Sequence, residues 1–334
     1  MKKLYPLKFK PTLKSKVWGG ETLINKYNPQ LLQADEDDQI EHPVGEVWEV
    51  FDLAGESSVV ENGFLEGNDL ADLLETYMGE LVGDNLFDFF QLQFPVSVKI
   101  IEASDNISVQ VHPDDDISFE RYYSYGKQEY WYIVDAEPTA RVYLGFKENV
   151  TVEQFYNACQ DGTLPLLLNE YVPKKGDGFL IPPGTVHAAG GGLLIAEVSQ
   201  SSDVIMRLYD WHRSDGEREL HIEEAIDCID YGKFHPEALL NKPVDTDQFS
   251  VNKVNLSSPV EVNMDSFNGF VIYTSVGGRV DIDAGGTFYQ VNCLESVLIP
   301  ASMDTVTLIP VGGKAELLEI SVKEQREPED SYVK

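Results

Sequence analysis

Cationic side chains are scarce in this chain. Its 334 residues hold 25 Lys and Arg against 57 Asp and Glu, a formal net charge of −32 and a pI near 4.3. Such a field excludes general binding to nucleic acid or to an anionic membrane, both of which need positive charge. Cysteine is scarcer still. Cys159, Cys228 and Cys293 are odd in number and widely separated, and no Cys-x-x-Cys pair occurs, so neither a disulfide framework nor a thiolate zinc site is expected. No apolar run reaches the roughly 18 residues of a membrane span. The lysine-bearing N-terminus lacks the continuous apolar stretch of a signal peptide. The expectation is a cytoplasmic protein with reduced thiols. Histidine is rare enough for placement to matter: His42, His112, His187, His212, His221 and His235 are all there are.

What the chain does have is β signal. A hydrophobic fraction of 43% and an aromatic fraction of 11% fit a folded globular protein, and the length suits about two domains. Short apolar segments at 96–101, 108–112, 130–135, 141–145, 178–181 and 193–198 are separated by Gly, Pro, Asn and Asp turns, the pattern of an all-β sandwich or barrel. Three helical segments interrupt them. Leu70, Leu73, Leu74, Tyr77, Met78 and Leu81 repeat at helical spacing over 69–82, behind Asn68 as a cap. Thr151 with Gln154 forms a capping-box pattern opening a short helix to about Cys159. Ile222, Ala225, Ile226 and Ile229 line one face of a third. A change of character near 235–250, around Pro236 and Pro243, divides the chain into 1–240 and 241–334, with a charged C-terminal end at 323–334 expected to fray. The segment 177–187 is echoed by 295–305, which suggests two related β units in which Thr305 stands where the first has His187.

Polar chemistry concentrates in three motifs. In Ser-Val-Gln-Val-His-Pro-Asp-Asp, residues 108–115, strand alternation projects Gln110 and His112 to one face and Val109 and Val111 to the other. In Gly-Lys-Gln-Glu, residues 126–129, Glu129 enters the next strand. The third runs from Gly176 through Pro182-Pro183-Gly184, a tight reversal that delivers His187 to a strand start. Two imidazoles, a carboxylate and an amide oxygen form a mixed nitrogen and oxygen set, suited to Zn²⁺ or another first-row divalent ion with a position open for water or substrate.

These strings, with Val17-Trp-Gly-Gly, Gly45-Glu-Val-Trp-Glu, Pro95-Val-Ser-Val-Lys, Pro183-Gly-Thr-Val-His-Ala and Arg207-Leu-Tyr-Asp, resemble the type I phosphomannose isomerases of the cupin superfamily in their short bacterial form. The Gln-x-His-Pro-Asp-Asp string carries most of the likeness, since a generic cupin has His-x-His followed closely by glutamate. The resemblance implies a mainly β fold of two cupin-like (jelly-roll) β-barrel domains with a few short helices, the second degenerate and without metal ligands. It implies one Zn²⁺ per chain held by His112, Glu129 and His187 with Gln110 as a looser fourth ligand. It also implies a catalytic Arg207 and interconversion of mannose 6-phosphate and fructose 6-phosphate through an enediol.

That chemistry needs a metal or cations for developing negative charge and a cationic seat for a phosphate dianion. Lys99, in an apolar strand, and Lys127, beside Glu129, are the expected substrate-binding residues, with Arg207 and Arg213 as the nearby guanidiniums. Trp18 suits either the pocket mouth or the core. The base is left among a metal-bound water, Glu49, Glu197 and a lysine. A metal-dependent cupin oxygenase and a non-catalytic sugar-binding cupin are the alternative readings. The expected partner is a small sugar phosphate, with no nucleic acid and no membrane. These cations and the metal would make one positive pocket on a negative body, dominant at close range because salt screens beyond about 8 Å.

Overall fold

The computed structural model describes residues 2–27, 43–53, 55–213, 218–235 and 241–323. The charged end at 324–334 and the boundary residue Pro236 lie outside them. The chain divides into two compact units, neither continuous in sequence. One comprises Pro11–Trp48 and Ser97–Lys242; the other comprises Met1–Lys10, Glu49–Val96 and Pro243–Lys334. A crossing falls at Lys242, close to the 240/241 boundary read from sequence, while Met1–Lys10 and Glu49–Val96 group with the C-terminal strands.

The first unit is a two-layer β structure. Its six-stranded sheet runs in the order Thr12–Gly20, Val44–Val50, Val96–Ala103, Leu193–Gln200, Glu129–Ala136, Gly178–Ile181. Its five-stranded sheet runs Met206–Tyr209, Val109–Val111, His187–Ala189, Val142–Phe146, Leu168–Tyr171. Among the described residues the sheets stay open rather than closing into a barrel, as two packed layers of the jelly-roll kind. Ile101, Trp131, Ile133 and Ile195 from the first sheet and Val142, Leu144 and Ala189 from the second share one core, so these faces are apposed. The alternate residues Val109, Val111, Ala188, Met206 and Leu208 face the opposite way, against Phe155, Ala158 and Cys159 of the helix Val152–Gln160. That helix opens with the reciprocal Thr151–Gln154 capping box expected from sequence.

The second unit is a seven-stranded sheet built on two long strands, Val271–Ala284 and Thr305–Ser321. The register slips between Ser275, Gly277 and Arg279, and Gly278 takes a positive φ of 82°. Side chains from both halves of these strands, such as Tyr273 with Ile282 and Leu308 with Leu317, meet in one apolar core. Its helical segment differs from the expected 69–82 in two ways. Asp69, not Asn68, caps it, accepting from the Asp72 amide, and Met78 at φ 48° breaks it into Leu70–Tyr77 and Gly79–Val82. Three further short helices were not legible: Thr22–Tyr27, Asp84–Phe90 and Asp115–Tyr122. The expected helix through Ile229 is a single turn, Ile222–Ala225.

Candidate metal centre and its pocket

Strand register assembles the site on the inward faces of the first unit. Arg207 pairs with Gln110 and Gln110 with His187 across neighbouring strands, so these three side chains form a row. On the facing sheet Glu129 pairs with Ser199, and Trp131 with Glu197. His112 follows its strand by one residue, where its carbonyl accepts from the Gly184 amide at 2.8 Å and ties the first histidine motif to the Pro-Pro-Gly turn.

His112, Glu129 and His187 converge, each buried, with ligand atoms within 4.8 Å of one another. Each imidazole is oriented by a backbone carbonyl: His112 Nδ1 lies 2.9 Å from Val204 O, and His187 Nδ1 lies 2.8 Å from Thr185 O. A carbonyl can only accept, so both Nδ1 atoms carry the proton and both Nε2 atoms present lone pairs. Burial pushes the His112 imidazole down to about 4, against the pull of Glu129, so the ring is neutral at pH 7. Burial alone would raise the Glu129 carboxyl, but the Lys127 ammonium and His112 hold it well below the usual carboxylate range. Its two oxygens lie 3.1 Å from His112 Nε2 and 3.4 Å from His187 Nε2. Among the described residues, His112 Nε2 and Glu129 Oε2 have no hydrogen-bond partner although fully buried. Acceptors facing acceptors with no proton between them are repulsive, and each unsatisfied buried group costs about 1–3 kcal/mol. A cation at their focus removes that cost. The donor set, two neutral imidazoles and a carboxylate, is that of a catalytic zinc site with an open position. Gln110 adds an amide beside it, with its Nε2 atom 3.4 Å from His187 Nε2.

Outward from this focus lies a pocket walled by Trp18, Trp131, Ile107 and a dense set of charges. Lys127 bonds to Glu129 and lies 3.3 Å from Glu197. Although burial opposes it, those carboxylates raise the Lys127 pKa and keep it an ammonium. Glu197 also accepts from Trp131 Nε1 at 3.1 Å and lies 3.9 Å from Lys99 Nζ. Lys99 stands 4.5 Å over the Trp48 ring, with its pKa lowered by burial and by Lys127. Farther out, Glu46 is tied to Trp48 Nε1 and Lys16. Arg207 and Arg218 complete the wall. Burial and the Arg218 charge both lower the Arg207 pKa. The pocket thus has five cations against three carboxylates, Glu46, Glu129 and Glu197.

A model of the family described as phosphomannose isomerase type I, catalytic domain, matches residues 6–141. The chain is 32% identical over 312 residues to mannose-6-phosphate isomerase ManA of Bacillus subtilis, covering 88% of this chain and 93% of that one. It belongs to the type I phosphomannose isomerase family. A Streptococcus mutans mannose-6-phosphate isomerase is 35% identical over 68% of this chain and 69% of its own length. The crystal structure of the mannose 6-phosphate isomerase from Bacillus subtilis superposes with a TM-score of 0.80, at 26% identity, over 95% of this chain and 99% of that chain. A mannose 6-phosphate isomerase solved with zinc and yttrium shares the fold at a TM-score of 0.72 and 17% identity, over 95% of this chain and 99% of that chain.

This phosphomannose isomerase family member gathers Gln110, Glu129, Lys99, Lys127 and Arg207 around one pocket, with His112 and His187 at its inner end. Trp18 serves both of its anticipated places, lining the pocket while joining the core. Two sequence candidates lie elsewhere. Arg213 is spent on Asp210, Asp105 and the Asn106 carbonyl, and is not part of the pocket wall. Glu49 belongs to the other unit, where it accepts from the Ser296 amide at 2.8 Å. Lys16, Glu46 and Arg218 are pocket residues that sequence reasoning missed. The only hint was Glu46 in the Gly-Glu-Val-Trp string.

The Pro-Asp-Asp tail of the histidine motif has a structural duty. Asp114 caps the helix Asp115–Tyr122 through the Ile117 amide. Asp115 accepts from the Gly126 amide at 2.7 Å and from Gln200 Nε2 at 3.0 Å, while Gln200 Oε1 accepts from the Gln128 amide at 2.9 Å. The loop bearing Lys127 and Glu129 is thereby pinned to the start of that helix and to the end of the strand Leu193–Gln200. A Cβ on Gly126 would lie 2.5 Å from the Asp114 carbonyl carbon, so the close approach needs glycine.

Proposed function

We propose that this chain is a zinc-dependent aldose–ketose isomerase that interconverts mannose 6-phosphate and fructose 6-phosphate. The observation that carries the reading is the inward-facing, proton-free set of His112 Nε2, His187 Nε2 and Glu129, at the inner end of a pocket with excess positive charge. His112, Glu129 and His187, with Gln110 beside them, would hold zinc, which would supply Lewis acidity for the negative charge of an enediol. The chain's own residues do the rest. Lys127, fixed between Glu129 and Glu197, offers ammonium donors to sugar oxygens beside the ligand set. Lys99, braced by Trp48 and Glu197, adds a second cation on the same face. Arg207, held by Ser108 Oγ at 3.4 Å and by the Glu219 carbonyl at 2.9 Å, keeps its guanidinium toward the substrate. The proton moving between C1 and C2 is taken and returned within this wall, where Glu197 and the two lysines are the titratable groups closest to the ligand set. Trp18, Trp131 and Ile107 exclude water from the reacting carbons.

The substrate is a soluble sugar phosphate, and catalysis belongs to the unit holding the triad. The other unit, built around one cluster of apolar side chains, serves as a scaffold. The test is incubation of the protein with fructose 6-phosphate. Mannose 6-phosphate should form, vanish on chelation and return with Zn²⁺. An absence of turnover at full zinc occupancy, or oxygen uptake with iron instead, would overturn the assignment.

A further inference from the structure

Asp210 is shared by two guanidiniums. Arg218 donates to it from Nε at 2.8 Å and from its NH2 group, and Arg213 donates from NH1 at 2.8 Å. Arg213 then reaches Asp105, a solvent-facing carboxylate, and the Asn106 carbonyl. Arg207 stands beside them with hydrogen bonds to a hydroxyl and a carbonyl, neither of which neutralises it. Three guanidiniums therefore meet two carboxylates, and the two that reach the pocket are Arg207 and Arg218. Each keeps donors in hand. Among the described residues, Arg218 bonds Asp210 through one edge, leaving NH1, and Arg207 bonds through Nε and NH1, leaving NH2. Two like charges held close in a partly buried wall are destabilising unless an anion bridges them. Planar guanidiniums suit the oxygens of a phosphate.

We propose that Arg218 is a phosphate-binding residue of this enzyme, receiving the substrate's phosphate jointly with Arg207 and so selecting phosphorylated over free sugars. The assignment rests on the isomerase reading for the identity of the sugar, but its anion chemistry stands on these contacts alone. Arg218 lies beyond any recognisable motif. It reaches the pocket because Asp210, at the end of the strand Met206–Tyr209, holds one edge of it in place.

The test uses the zinc-loaded protein and two probes, inorganic phosphate measured by calorimetry and fructose 6-phosphate measured by turnover. In Arg218→Met the dissociation constant for phosphate and the KM for fructose 6-phosphate should both rise about tenfold or more, the size of one lost charge-assisted pair. Zinc content should not change. Arg218→Lys, which keeps the charge but loses the fork, should show a smaller rise in both, and it decides the question if the methionine variant does not fold. Unchanged phosphate binding in a folded variant would overturn the proposal, as would a raised KM with phosphate binding intact. A wild type that binds phosphate through Arg218 yet turns over no fructose 6-phosphate would sink the isomerase reading and leave the anion site standing. Turnover with phosphate binding independent of Arg218 would do the reverse.

Discussion

Burial of the His112 imidazole, with its pKa pushed down to about 4 from an ordinary 6.5, makes the metal-free fold sensitive to acid. Between those values the unfolded chain binds a proton that the folded one does not, so stability rises with pH across the window and falls as pH drops from 6.5 toward 4. The full difference is on the order of 3 kcal/mol. Glu129, held below its ordinary range, withdraws stability in the same direction at lower pH still. Urea unfolding of the chelated protein at pH 6.5 and pH 4.5 should therefore show a loss of about 2–3 kcal/mol, and His112→Asn should flatten the slope over that interval. An equal slope in the variant would show that another group governs it. The same residue explains what was readable. His112, Glu129 and His187 sit next to turn signals, Pro113, Gly126 and Pro182-Pro183-Gly184, which mark strand ends in any sequence. Lys16, Glu46 and Arg218 carry no such mark. Lys16 and Glu46 reach the pocket through the pairing of two strands that one sequence cannot order, and Arg218 through its bonds to Asp210.

At the scale of elements, the decisive unit is the junction of three pieces: the helix cap at Asp114, the loop end at Gly126 and the strand end at Gln200. Gly126→Ala places a methyl carbon against the Asp114 carbonyl carbon and the Pro113 oxygen, at 2.5 and 2.8 Å. The backbone must move, at a cost of about 1–3 kcal/mol, and Glu129 moves with it. The expected result is a lower melting temperature together with weaker zinc binding, followed by chelator competition. A drop in melting temperature alone would mean that the loop yields without disturbing Glu129. Elements were legible where periodicity was long or capping chemistry explicit, as in the Thr151 box. They were missed where they were short. Asp115–Tyr122 has only Ser118 fully buried and Asp84–Phe90 only Leu86, so neither presents an apolar stripe to read. The break at Met78 was hidden because the leucine spacing continues through it. The echo between 177–187 and 295–305 corresponds to real local likeness. Gly178–Ile181 and Ser296–Ile299 are both short strands ending at proline, and His187 and Thr305 each open the next strand.

At the scale of the molecule, a chain of net charge −32 must admit an anion. The pocket's own surplus of cations provides the short-range attraction, while the surrounding carboxylates repel at long range. The Debye length falls from about 30 Å at 0.01 M salt to about 8 Å at 0.15 M. Salt should thus remove the long-range repulsion before it weakens contacts inside the pocket. The KM for fructose 6-phosphate should fall as ionic strength rises through this range, opposite to the usual weakening of an anion on a cationic site. A monotonic rise in KM would mean that the local cations govern approach as well as binding. The sequence-level expectation of a positive pocket in a negative body has its counterpart here, with Arg218 and Lys16 in the wall where Arg213 was anticipated.

The order of strands in the six-stranded sheet has a consequence for how this protein is born. Leu193–Gln200 lies between Val96–Ala103 and Glu129–Ala136, so the two earlier strands have no shared neighbour until residue 200 has been made. Most of the sheet's pairing spans long stretches of chain, which slows folding. A ribosome-bound chain that has emerged only through His187 holds the three candidate ligand side chains but lacks the strand Leu193–Gln200 that pairs with the strand of Glu129. Zinc capture is then a late event of synthesis. A chain stalled with residue 190 just outside the exit tunnel should take up no zinc although all three ligands have emerged, whereas one stalled beyond residue 235 should.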